Sequence, residues 1–173
     1  MKLICTILRH KECIAKCICF IFFMLDMSSK AQTVSVSGTN WTASVPAITE
    51  AGSNYAGTYA SATNQSILNV GLPALLGSVK VYVHYEANPT WDSSLVLSAK
   101  RTNNGTTLCI GCSISGGTAY QTVTQTALEL FRISTILSVT SYTGINIQYQ
   151  LSGVSVTIPA ATYNSKIVFT VSN

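Results

Sequence analysis

The sequence predicts an all-β chain, an antiparallel Ig-like β-sandwich of roughly 7–10 strands, set behind a short leader. Three observations carry this reading. Beyond residue 31 the chain is rich in Thr, Ser, Val, Tyr and Asn and nearly empty of charge, a composition that suits strands and not helices or disordered chain. Apolar residues recur at every second position in several segments. Between those segments stand turn formers: Ser37-Gly38, Asn103-Asn104-Gly105, Ser115-Gly116-Gly117, Thr143-Gly144 and Ser152-Gly153.

The leader comes first. Lys2, Arg9, Lys11 and Lys16 precede an apolar run from Cys17 to Leu25, and the small residues Ser29 and Ala31 fit the two recognition positions of a cleavage site. This predicts a signal peptide over residues 1–31 and a single domain over 32–173, secreted and acting outside the cell or in its envelope. The competing reading is an uncleaved anchor. The apolar run is roughly half of the about 20 residues that span a bilayer, and Asp26 interrupts its end. The mature chain, of about 140 residues, is long enough for one respectable core, and no membrane span is expected in it.

The strands follow in order. Thr33–Ser37, Trp41–Val45 and Ile67–Val70 are short candidates. Val79–Glu86 alternates cleanly, with the valines and Tyr85 on one face and Lys80, Tyr82, His84 and Glu86 on the other. Leu95–Lys100 repeats the pattern with Leu95, Leu97 and Ala99 inward. Asn104-Gly105 then reads as a hairpin corner, because both residues tolerate positive φ. Tyr120–Thr124 and Leu130–Thr135 are further short candidates, and Thr126–Phe131 reads either as one helical turn or as the start of a strand. Ile145–Leu151 is the strongest case, every second residue apolar and the others amides. Val154–Ile158 and Ile167–Val171 close the series. No internal repeat or linker divides residues 32–173.

Charge excludes one function class. The formal charge of the whole chain is +4, but much of the basicity lies in the leader. Lys80, Lys100, Arg101, Arg132 and Lys166 then stand against Glu50, Glu86, Asp92 and Glu129. A nucleic-acid binder needs a clustered basic face to displace counterions, and this near-neutral domain has none.

Cleavage also removes Cys5, Cys13, Cys17 and Cys19, leaving Cys109 and Cys112. In an exported chain a Cys-Ile-Gly-Cys run predicts a small disulfide ring that stiffens a loop. A redox pair would want a helix N-terminus to favour the thiolate, and the flanking Gly-Thr-Thr and Ser-Ile-Ser-Gly-Gly offer none. A zinc site would want more Cys or His ligands than His84 alone. No metal and no cofactor are expected. A hydrolase would have to use His84 as its base, with no Gly-x-Ser-x-Gly elbow present. A glycosidase would need two of the four acids at a defined separation. Each acid reads more simply as surface charge, so the chain is expected not to be an enzyme.

Aromatic residues suggest binding. The Asn88-Pro89-Thr90-Trp91-Asp92 loop is a candidate glycan platform, with Trp91 to stack on a sugar face and Asn88 and Asp92 to bond hydroxyls. The alternative is that Trp91 folds back and caps the core. Trp41, at the start of a candidate strand, favours the packing role. Asn40-Trp41-Thr42, Asn64-Gln65-Ser66 and Asn104-Gly105-Thr106 match the N-glycosylation pattern, which matters only in a eukaryotic host.

The final stretch, Val154-Ser155-Val156-Thr157-Ile158-Pro159-Ala160-Ala161-Thr162-Tyr163 followed by Ile167–Val171, resembles the closing strands of exported pilin-type and spore-coat-U-like β-sandwich subunits. The resemblance covers about the last 20 residues. It implies a non-enzymatic subunit that self-assembles by strand exchange through its N-terminal strand, where Val34 and Val36 alternate. The expected function is therefore that of a secreted or cell-surface module with a structural, adhesive or assembly role and a protein partner. Carbohydrate binding through Trp91, with a surface glycan as partner, is the alternative.

Overall fold

Strict alternation marks the strands that build the centre of each sheet. Val79, Val81 and Val83 alternate with polar residues along β4 (Gly77–Ala87) and are fully buried. Ile145, Ile147 and Tyr149 do the same along β9 (Ser141–Ser152). The computed structural model describes residues 32–55, 57–72, 77–136 and 141–173. The predicted signal peptide lies outside the described residues.

Two antiparallel sheets pack face to face as a β-sandwich. One has the order β1 (Thr33–Gly38), β3 (Ser66–Gly71), β9, β5 (Val96–Arg101), β7 (Gln121–Val123), with β2 (Thr58–Ala60) also paired to β9. The other has the order β10 (Ser165–Ser172), β4, β8 (Leu128–Thr135), β6 (Ser113–Ser115). Leu68, Val70, Ile145 and Ile147 from the first sheet meet Val81, Val83, Phe131, Ile133 and Phe169 from the second in one apolar core. No helix occurs among the described residues.

Irregularities have local causes. Leu130 and Phe131 are neighbours and both buried, which a regular strand forbids. A bulge opposite Val81 and Tyr82 resolves this, since Val81 pairs Phe131 while Tyr82 pairs Glu129. β2 and β3 lie end to end along β9, separated by Ser61–Gln65. In that gap buried Ser61 takes the place of a ladder partner: its backbone N–H donates to the Tyr149 carbonyl at 2.9 Å, and its hydroxyl accepts the Tyr149 N–H at 2.8 Å.

Several expectations change. Trp41–Val45 forms no strand, because the chain leaves β1 at Gly38 (φ 134°), where its backbone lies against the Gln65 carbonyl. Asn104-Gly105 turns the chain with Gly105 alone at positive φ, and the residues after it form only an isolated bridge, Thr106 to Thr143. Thr126–Phe131 is strand from Leu128 onward and not a helical turn. Val154–Ile158 is irregular: Gly153 turns the chain out of β9, and Ser155 and Thr157 hydrogen-bond each other at 3.1 Å. β10 consequently pairs β4 in the opposite sheet, from Ser165 opposite Ala87 to Ser172 opposite Lys80. The three-residue strands β2 and β6 were not expected.

Candidate functional site at two open edges

Among the described residues β1 has one strand neighbour, β3, and β10 has one, β4. These two edges lie beside each other on one flank of the sandwich. No ladder joins them. Between the C-terminal end of β9 and the N-terminal half of β10, and reaching Val36 of β1, is a groove of about 720 Å³.

Its floor is apolar and comes from strands: Leu97 of β5, Tyr149 and Leu151 of β9, Ile167 and Phe169 of β10. One wall is the extended segment that follows Gly38, contributing Trp41 and Val45. The Gln65 amide donates to the Thr39 carbonyl at 2.8 Å and holds the start of this wall. Trp41 then stacks on Tyr149, ring centroids 6.4 Å apart and planes 25° apart. The facing wall is the loop after β9, with Val154, Ile158 and Tyr163. The Tyr163 hydroxyl donates to the Pro159 carbonyl at 2.5 Å and closes that loop on itself.

Electrostatics here are quiet. Among the described residues Lys166 is the one charged side chain of the lining, and it pairs with Glu86 across β10 and β4 at 3.0 Å. Burial pushes the Tyr149 phenol up to about 12, although its hydroxyl donates to Ser66 at 2.7 Å. A phenol so held is a neutral hydrogen-bonding group at ordinary pH.

The sequence-predicted residues fall in different places. Val34 and Val36 sit in β1, antiparallel to β3, opposite Val70 and Leu68. Val34 packs against the core, whereas Val36 is 51% exposed and lines the groove. Trp91 also lines the groove, half-buried, tilted against Tyr85 at 5.6 Å, with its indole N–H shielded and without a hydrogen-bond partner. Asn88 accepts the Trp91 N–H on its carbonyl at 2.8 Å. Asp92 accepts both the N–H and the hydroxyl of Ser94, which hold its carboxyl below the usual range. These groups shape a loop, and Trp91 lies on Tyr85, which itself packs against the core.

Cys109 and Cys112 are bonded, with Cα atoms 5.6 Å apart. A closed disulfide points to an oxidising environment. The acids are separate: Glu86 meets Lys166, Glu129 meets Arg132 at 3.0 Å, Asp92 meets Ser94, and Glu50 lies on an exposed turn. Among the described residues no three His, Cys, Asp or Glu side chains gather where a metal could be held. Among the described residues no helix is long and apolar enough to cross a membrane.

One buried charge escaped the sequence reading. Arg101 is buried at the end of β5. Its guanidinium donates to the Gly116 carbonyl at 2.9 and 3.2 Å, to the Asn103 carbonyl at 2.8 Å and to the Asn104 side chain, and stands over the Phe131 ring. The signal was available, since Arg101 continues the inward series Leu95, Leu97, Ala99. Comparisons with protein-family models, curated proteins and solved structures found no match.

Proposed function

We propose that this protein is a non-catalytic β-sandwich module with a structural, adhesive or assembly role, secreted or held at the cell surface, and that the β1–β10 groove is where it holds its partner. The observation that supports the reading is two strand edges, β1 and β10, with no second strand partner among the described residues, beside a groove with an apolar floor. An extended partner segment would find there main-chain groups to pair with and space for alternate side chains, which are the requirements of strand addition. Among the described residues the groove is lined by aromatic, aliphatic, hydroxyl and amide side chains and by Lys166, which together offer contact surface. The Cys109–Cys112 bond and the leader composition both support export.

The test is light scattering over a concentration series on the exported protein, expressed as the full chain, beside its Val36→Asp form. Mass that rises with concentration, and no longer rises in Val36→Asp, is the expected result. A monomer throughout would sink self-assembly.

A second reading is favoured by the aromatic content of the same groove. Trp41, Tyr55, Trp91, Tyr149 and Tyr163 all line it, with Asn40 and Asn164 beside them. Rings and amides together suit a glycan. Signals on a glycan array that Trp91→Ala and Tyr55→Ala both remove would move the assignment to carbohydrate binding.

A further inference from the structure

We infer that the pole of the sandwich carrying the Cys109–Cys112 ring is a lipid-binding surface, and that Leu108 and Ile110 insert into a membrane of uncharged lipid. The inference is independent of the groove. Leu108 at 88% and Ile110 at 91% are the most exposed large apolar side chains among the described residues. Ile136, 56% exposed, lies beside them against Gly111. Val36, Val45, Val156 and Val96, also exposed, belong to the groove, its rim and the start of β5.

Topology makes this pole one surface. β3 ends at Gly71, which pairs both Thr33, the first residue of β1, and Ser141, the first of β9. In the other sheet Gly77, the first residue of β4, pairs Thr135, the last of β8. The chain after β5 crosses between the sheets here: Thr106 bridges Thr143 of β9, and Cys112 leads into β6, whose Ser113 pairs Ser134. The chain upstream of Thr33, whose sequence carries the apolar run Cys17–Leu25, joins the sandwich at this same pole.

The pole carries no charge. The sequence has no Asp, Glu, Lys or Arg from Thr102 to Leu128, and none from Ile133 to Ser165. Behind the ends of β4 and β8 the first charges are Lys80 and Arg132, paired across the two strands, with Glu129 bonded to Arg132. Each stands three residues in from Gly77 or Thr135, a depth of about 10 Å. Apolar groups at a membrane surface enter the boundary between headgroups and acyl chains by about 5–10 Å, so the tip can insert before any charge is desolvated.

The tip is shaped for this. Gly111 turns the chain between the cysteines at φ 77°, and a Cβ there would meet the Ile136 Cδ1 at 2.9 Å. The Cys109–Cys112 bond, and the Cys109 N–H donated to the Thr107 hydroxyl at 3.1 Å, hold the loop before contact and lower its ordering cost. Three aliphatic side chains fall short of the roughly 800 Å² that each partner gives a standard protein interface. A bilayer surrounds a projection on all sides and needs no matching recess.

The test is flotation of the exported protein, expressed as the full chain, with phosphatidylcholine vesicles. Wild type should float with the vesicles equally well at low and high salt. Leu108→Ser combined with Ile110→Ser, both at exposed positions, should lower the partition coefficient at least tenfold and leave circular dichroism unchanged. Val36→Asp, in the groove, should float like wild type, which separates this result from the groove reading. Ile110→Trp keeps the position apolar and adds a second readout: its emission should shift to the blue with vesicles and be quenched by brominated phosphatidylcholine beyond the wild-type level. A wild type that does not float would overturn the inference. Floating that the double substitution leaves intact, with no added quenching of Ile110→Trp, would overturn it too and assign binding to another part of the chain. Self-association that the double substitution removes, in a protein that ignores vesicles, would assign the tip to a second copy instead.

Discussion

Trp41 lies on Tyr149 with the two rings near parallel, 6.4 Å between centroids. The contact fastens an irregular segment to the central strand of a sheet. It also makes one wall of the groove continuous with the sandwich core.

Replacing Trp41 with Ala should free that wall. Trp41 is half-buried and one ring contact is lost, so the expected destabilisation is about 1–3 kcal/mol. Urea unfolding would measure it. Limited proteolysis should show new cleavage between residues 39 and 55, with the rest of the chain resistant.

Arg101→Met should cost about 2–3 kcal/mol, because it leaves the Gly116 and Asn103 carbonyls without their donor. Arg101→Lys should recover only part, since a point charge cannot serve Gly116 and Asn103 in the same fork. Denaturant midpoints for the three proteins would decide this. A fully stable Met variant would mean the carbonyls find water without loss.

Tyr149 sets an alkaline limit. Its folded value of about 12 lies above the unfolded value of 10.0. The native state therefore holds the phenolic proton more tightly, and this stability is complete below pH 10. It is lost as pH rises toward 12, by roughly 2–3 kcal/mol. Tyr149→Phe, measured by urea unfolding at pH 8 and pH 11.5, should show a smaller decline between those two pH values than wild type.

Reducing Cys109–Cys112 should matter little for global stability. So short a ring restricts the unfolded chain by at most about 2 kcal/mol, and of its two cysteines Cys112 alone packs against the core. Circular dichroism with and without reductant should show one cooperative transition with a modest shift. A collapse of the fold on reduction would show that the Cys109–Cys112 loop supports the sandwich.

How much of this was legible in the sequence depended on range. β4 and β9 could be read because a buried face against a polar face enforces period two within a single segment. The same rule places Arg101 inward, one step beyond Ala99 in the alternation of β5, but the sequence-read strand stops at Lys100. Val154–Ile158 carried the right pattern and formed no strand, because the positive φ at Gly153 and the Ser155–Thr157 bond redirect the backbone. β2 and β6 have three residues each, too few to show a period, and exist through partners on β9 and β8. The groove could not be read at all. It collects residues from Val36 to Phe169, and it exists only because β1 and β10 end their sheets. Strand order is not written in local pattern.

The position of β10 also governs when this molecule can finish itself. Its partner β4 lies about 80 residues upstream, and it brings Phe169 to Val83 and Val171 to Val81. β10 is the last of the described strands in chain order. Until it is in place, the edge of β4 that faces it has no strand neighbour among the described residues, and the sandwich stays incomplete. Ribosome-bound chains stopped after Asn164 should remain protease-sensitive, and those extended through Asn173 on a linker should not.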